Sequence, residues 1–430
     1  MKESIKKRIE AVRRGEVPEG YCKVHPYVIP YDWNVVKLGN VTKRTSRPNK
    51  DGQDRPAYSI NNRKGFVPQS EQFEEGSYED LDKTAYKIVR KGEFAYNPAR
   101  VNVGSIGRLR DAEEVAVSSL YVCVSVDGKV DGKFFNAWTK SRDFYKETVR
   151  NTEGSVREYL FYENFANMRI PIPTVAEQQK IAEILETCDR MIELKQQLVD
   201  EYKKTKKVFL RRLFPTQGAN VPELRFPGFK GEWRKCQLGE LSDFITKGAT
   251  PTTYGYHWET TGIPFFRNDS IQDNRFVYGA YSFISETVHK ALSRSEIKGD
   301  DILIAITGDI GKVGIVPKDV IRGNINQHMA RVRIIKDALP FFIYQYLSTA
   351  TMQNNYQVIK TGISMPQLSL EQIRNTEILL PSLAEQQCIA SCLKNLDEAI
   401  ELRLQEVEKV QREKKALMQL LLTGLVRVNA

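Results

Sequence analysis

Histidine is scarce, four in 430 residues, and His25, His257, His289 and His328 stand too far apart in sequence for any metal-ligand spacing. The six cysteines are scattered with no spacing that suggests a disulfide framework, which fits a reducing, cytoplasmic setting. Cys388 and Cys392 stand four apart and, without a histidine partner, read as packing residues on a helix. No apolar run approaches the roughly 20 residues that span a bilayer, so no membrane partner is expected. The first residues, MKESIKKRIE, lack the apolar core of a secretory signal. Catalytic signatures are missing as well. GDIGKVG at 308–314 has neither the Walker spacing nor a Ser or Thr after its lysine, and it does not match GxGxxG. Tyr96-Asn97-Pro98-Ala99 lacks the second proline and the aromatic residue of an adenine-methyltransferase tetrad. No cluster of carboxylates with a lysine points to a nuclease. These absences predict a chain with no catalytic centre, no metal and no cofactor of its own.

What is present is length, positive charge and repetition. A chain of 430 residues with 41% hydrophobic and 27% charged residues is ordinary folded material, too long for one core of usual size. Its net charge of +10 favours a polyanionic partner. The charge is concentrated. Lys43, Arg44, Arg47, Lys50, Arg55, Arg63 and Lys64 are opposed only by Asp51 and Asp54, and the Pro, Asn and Gly content of this stretch reads as loop.

The strongest signal is an internal repeat. PTVAEQQKIAEILETCDRMIELKQQL begins at Pro173 and PSLAEQQCIASCLKNLDEAIELRLQE at Pro381, and 17 of 41 positions match without a gap. Weaker echoes precede each copy. Trp33 with Leu38-Gly39 corresponds to Trp233 with Leu238-Gly239, VRKGEFAY (89–96) to EIKGDDIL (296–303), and GSIG (104–107) to GDIG (308–311). Thr174 with Glu177, and Ser382 with Glu385, have the spacing of a capping box, which predicts that each copy opens a helix.

Along these helices the apolar residues recur at alternating steps of four and three. The first seam holds Ile181, Leu185, Cys188, Ile192, Val199, Tyr202, Phe209 and Leu213; the second holds Ile389, Leu393, Leu396, Ile400, Val407, Val410, Leu417 and Leu421. That is the pattern of a coiled coil. Lys195 and Lys206 interrupt the first seam, and Arg403 and Lys414 the second at equivalent places. Pairing of the two seams makes the helices antiparallel and brings the chain ends together. The alternative is that each helix packs on its own module.

The intervening modules hold short β-rich runs, SSLYVCVSV (118–126), DILIAIT (301–307) and ARVRII (330–335), with helical stretches such as PFFIYQYLSTATMQNNYQ (340–357). The fold class expected is α+β: two β-rich mixed domains separated by an antiparallel coiled coil of two long helices, with a pseudo-twofold internal repeat. The divisions are 1–171, 172–214, a Pro/Gly-rich linker at 215–230, 231–380, 381–424 and a tail at 425–430. In the second module Lys247, Thr250, Arg267, Asn268, Lys312, Gln327 and His328 lie in loops that mix cations, amides and aromatics. Arg and amide side chains suit base edges, while Lys and Thr suit phosphates, although any one such residue is equally at home in a solvated loop.

PxxAEQQxIAxxL followed by a long charged coiled coil, occurring twice after variable modules, resembles the specificity subunit of type I restriction–modification enzymes. YDWNVVKLGNV (31–41), LRFPGFKGEWRKCQLGEL (224–241) and TKGATPTTYGYHW (246–258) are similar to its module openings and second-module loop, and RIEAVRRGEVPEGY to the leader some members carry. The resemblance spans essentially the whole chain. It implies a non-catalytic subunit whose two target-recognition domains each read half of a split sequence in double-stranded DNA. It also implies that the two helices, with the seam residues named above, dock two methyltransferase subunits, which hold S-adenosylmethionine and methylate adenine, and that restriction subunits join them. A stand-alone DNA-binding regulator, or a coiled-coil scaffold for another partner, is the competing expectation.

Overall fold

The computed structural model describes residues 3–50, 53–71, 83–153, 159–216, 218–279, 281–335 and 337–428. The chain divides into two compact units, Met1–Lys195 with Glu406–Ala430 and Gln196–Gln405. Both repeat copies are helical, Val175–Arg212 (38 residues) and Leu383–Leu422 (40 residues), so each helix gives one stretch to each unit.

Within each unit the two helical stretches run antiparallel, and the seam lysines find carboxylates on the facing helix. In the first unit Lys195 pairs with Glu406 at 2.7 Å and Lys414 pairs with Asp189. In the second, Lys206 pairs with Asp397 at 2.7 Å. All the seam residues named above are buried or half-buried. The helix starts also pack on their own modules: Ile181 and Leu185 lie in the core of the first, and Ile389 and Leu393 in the core of the second. Packing of each helix start on its own module is thus present, and the ion pairs between facing stretches are consistent with the seam pairing.

The capping box is only half formed. Thr174 Oγ1 accepts from the Glu177 amide and Ser382 Oγ from the Glu385 amide, both at 3.3 Å. The glutamates turn elsewhere. Glu177 takes Arg427 at 2.8 Å and Trp33 Nε1 at 3.1 Å, and Glu385 takes Arg225 at 2.7 Å. The glutamine that follows each glutamate fastens the helix start to a module loop. Gln178 accepts from the Asp131 amide (2.8 Å) and donates to the carbonyls of Lys129 and Pro173 (both 3.0 Å). Gln386 repeats this with Leu339 (2.9 Å), Asp337 and Pro381 (both 3.0 Å). The AEQQ run is thus an anchoring motif.

The units share one topology. In the first, one four-stranded sheet has the order Thr42–Thr45, Val122–Val126, Phe94–Tyr96, Ile106–Arg108. Its counterpart in the second is Thr246–Lys247, Met329–Val332, Ile302–Ala305, Val313–Ile315. A second sheet runs Gly65–Pro68, Ala57–Asn61, Glu114–Val117, Lys87–Arg90, against Ser282–Ile284, Ile263–Phe266, Gly323–Ile325, Glu296–Ile297. In both, the central pair is parallel and the outer pairs antiparallel. The strands are mostly shorter than the sequence runs that announced them. The run at 340–357 forms two helices, Pro340–Leu347 and Ala350–Ile359, because Thr349 caps the second by accepting from the Met352 amide. In the first unit an N-terminal segment meets the turn after the second long helix: the Tyr21 hydroxyl donates to the Gly424 carbonyl at 2.6 Å.

Candidate nucleic-acid interface

The basic stretch of the first module is not the open loop its composition suggested. Lys43 and Arg44 lie exposed on the strand Thr42–Thr45, and a second strand occupies Ala57–Asn61. Arg44 reaches Glu163 at 3.5 Å and lies over the Tyr162 ring at 6.0 Å. Arg47 donates to Glu93 at 2.8 Å, and those hydrogen bonds hold its guanidinium above the usual arginine value. Arg55 is buried, donating to Glu114 at 2.9 Å and to Asn49 at 2.8 Å. Arg47 and Arg55 are thus tied to carboxylates within the module. Lys43, Lys50, Arg63 and Lys64 stay exposed, the last two on the turn between the strands Ala57–Asn61 and Gly65–Pro68. Asp51 lies outside the described residues.

In the second module the fold gathers residues far apart in sequence. A Cβ on Gly248 would lie 2.0 Å from the Ile325 carbonyl oxygen, so only glycine lets the 246–250 segment cross the 325–329 turn. The crossing puts the Thr250 hydroxyl in a hydrogen bond with Gln327 Oε1. His328 Nδ1 shares a proton with Thr307 Oγ1 at 2.7 Å, and Asn268 Nδ2 donates to the Thr307 carbonyl at 2.9 Å. Arg267 is exposed, stacked over Trp258 at 5.0 Å and donating to Ser282 Oγ at 3.0 Å. Thr250, Gln327, Asn268 and His328 thus converge, and Lys247 and Arg267 lie beside them in sequence. Lys312 pairs with Asp309 at 2.8 Å. Sequence reasoning missed Thr307 as the link and the two glutamines that hold the 308–311 turn, Gln353 donating to the Gly311 carbonyl (2.6 Å) and Gln357 to that of Ile310 (2.7 Å).

It also missed a cleft of about 880 Å³ in the first unit, whose walls include Arg63, Lys64, Arg108, Arg110, Lys140 and Lys414. Among the described residues no group of three or more His, Cys, Asp or Glu side chains could hold a metal ion. Nor is any helix there long and apolar enough to cross a membrane.

A model of the type I restriction modification DNA specificity domain matches residues 30–204 and again 230–412. The type I restriction enzyme MjaVIII specificity subunit of Methanocaldococcus jannaschii is 25% identical over 427 residues, 96% of this chain and 97% of that protein. The EcoBI specificity subunit of Escherichia coli is 24% identical over 257 residues, 55% of this chain and 53% of that one. The S subunit of the M. genitalium type I restriction–modification system has the same fold at 14% identity, with a TM-score of 0.56 over 95% of this chain and 99% of that one. A chain from a study of complex assembly and conformational transition in the type I system is 18% identical, with a TM-score of 0.58 over 93% and 100%. Matched by the same family model in each of two units of common topology, the chain belongs to the type I restriction–modification DNA specificity family.

Proposed function

We propose that the chain is the sequence-reading subunit of a type I restriction–modification complex, with each unit reading one half of a bipartite site in double-stranded DNA. The observation that carries this is the duplicated family match on two units of one topology. In the second unit, amides and a histidine converge on adjoining loops beside exposed cations, the chemistry that separates base edges from phosphates. In the first, Lys43, Arg44, Lys50, Arg63 and Lys64 supply phosphate contacts.

Chemistry is left to partners: two methyltransferase subunits that hold S-adenosylmethionine, with restriction subunits joining them. Docking falls to the long helices that carry the seam residues, whose exposed apolar side chains include Val175, Met191, Leu194, Val208, Leu383 and Leu402. Exchange of residues 231–380 for the corresponding module of a relative tests the reading. Methylome sequencing of cells carrying the hybrid should show one half of the methylated motif replaced and the other kept. A change in both halves at once refutes two independent readers. A methylome without any bipartite motif, with a methyltransferase partner present, favours a stand-alone regulator.

A further inference from the structure

The cleft of the first unit is built differently from the equivalent place in the second. Its floor is the pair Asp189 and Lys414, contributed by the two long helices. Displaced by the 208-residue repeat, these positions become Asp397 and Lys206. There the protein's own side chains occupy the space: Asp397 receives Lys206 at 2.7 Å, Gln345 Nε2 at 2.8 Å and Arg275 at 3.4 Å. In the first unit no such cover is present among the described residues, and a cleft of about 880 Å³ opens instead.

Among the described residues its walls carry more positive than negative side chains, Arg63, Lys64, Arg108, Arg110, Lys140 and Lys414 against Glu71, Asp111 and Asp189. Arg63, Arg110 and Lys140 are exposed on the cleft and form no ion pair with any described residue. Arg108 Nε is buried without a hydrogen-bond partner, its guanidinium lying so near Gly132 that a Cβ there would be 3.2 Å from it. Like charges gathered at one mouth repel, and their repulsion is relieved by an anion. The Lys140 ammonium is held below the usual lysine value chiefly by desolvation, with Lys414 and Arg110 adding to it and Asp189 opposing.

We infer that this cleft is a phosphate clamp of the first unit, in which Arg110 and Lys140, with Arg63 at the rim, grip the sugar-phosphate backbone of bound DNA. The inference rests on the DNA-reading role proposed above. It adds to the contacts of the 43–64 stretch, where Arg47 and Arg55 are paired with Glu93 and Glu114, a grip from residues outside that stretch. Phosphate contacts position a reader without choosing sequence, so the clamp affects affinity and salt dependence more than the motif.

The test uses the full-length chain and a short fluorescent duplex of arbitrary sequence, titrated across a KCl series. The slope of log affinity against log salt should become shallower by about two units in an Arg110→Gln/Lys140→Gln variant, roughly 0.9 for each phosphate no longer neutralised. It should stay unchanged in Lys140→Arg and in Lys23→Gln, which lies outside the cleft. In the wild-type chain, bound duplex should protect Lys140 from an amine-reactive label read by mass spectrometry, a measurement that needs no variant to fold. An unchanged slope together with unprotected Lys140, while the wild-type chain binds duplex, overturns the clamp and leaves the DNA-reading role standing. Failure of the wild-type chain to bind duplex overturns both.

Discussion

Glu177 and Glu385 show how one repeated spacing resolves into two unequal sites. Each carboxylate is almost fully buried, with side-chain exposures of 3% and 2%, and each is matched by an arginine from a segment that follows the end of the other helix. Removing one partner of a buried pair strands the other charge, at about 3–5 kcal/mol. Arg225→Ala should approach that cost, because the Trp233 Nε1 has no partner and offers Glu385 no substitute donor. Arg427→Ala should cost less, about 2 kcal/mol, because Trp33 still donates to Glu177 and the Arg427 side chain is 35% exposed. Urea denaturation of both variants checks the order, and Glu385→Gln placed in the Arg225→Ala background should recover part of the loss. Equal costs would show that Trp33 contributes nothing. Arg427 also lowers the Asp32 carboxyl below its ordinary 3.8 by hydrogen bonding. A depressed carboxylate stabilises the fold above its unfolded value and loses that contribution as pH falls through the folded one. Acid unfolding of the wild-type chain should therefore steepen below about pH 4, and Arg427→Ala should flatten that limb. Residue roles of this kind were illegible in sequence. Arg427 stands 250 residues from Glu177, and the capping-box reading was the best that local spacing allowed.

At the scale of elements, legibility followed the reach of the interactions. The long helices were readable because caps, seam period and the absence of Pro and Gly are all local. The strand Thr42–Thr45 was not, because it exists by pairing with Val122–Val126, some 80 positions on. Its Thr-Lys-Arg-Thr sequence has no apolar alternation to announce it. The cleft draws on residues from Tyr58 to Lys414, so no window of sequence contains it. The loop crossing at Gly248 is likewise a tertiary event, and it yields a sharp expectation. Ala at 248 would set its Cβ 2.0 and 2.2 Å from two backbone oxygens, which no side-chain rotation can relieve. The 246–250 segment must then lift away, parting Thr250 from Gln327. Gly248, Ile325 and Asn326 are buried, so Gly248→Ala should disturb the second module and abolish recognition of the half-site it reads, while the first unit, which contributes no residue to the crossing, keeps its own. Binding assays with duplexes carrying each half-site alone should show loss for one and retention for the other. Retention of both would show that the crossing loop does not read DNA.

At the scale of the whole molecule, the two long helices contribute residues to both units, and the gap in a bipartite target tests whether helix length matters to reading it. Residues 197–203 and 399–405 lie between the pairs Lys195–Glu406 and Lys206–Asp397. Deleting both heptads removes about 10 Å of helix at 1.5 Å per residue. Seven residues nearly restore the apolar face, so the remaining seam and both ion pairs can re-form. DNA rises about 3.4 Å per base pair, and if the helices set the spacing along the duplex, the half-sites should be preferred about three base pairs closer. Methylome sequencing of cells carrying the shortened chain with its methyltransferase partner would read this directly, since the half-site motifs stay constant and only the gap between them changes. Methylation at the original gap would show that something other than helix length sets the distance. Loss of all methylation, with the shortened chain still binding isolated half-sites, would instead place the deleted residues in the docking surface for the methyltransferase. That outcome is separable from a folding defect by the melting transition, because each unit keeps its own core and one of the two ion pairs that flank the deletion.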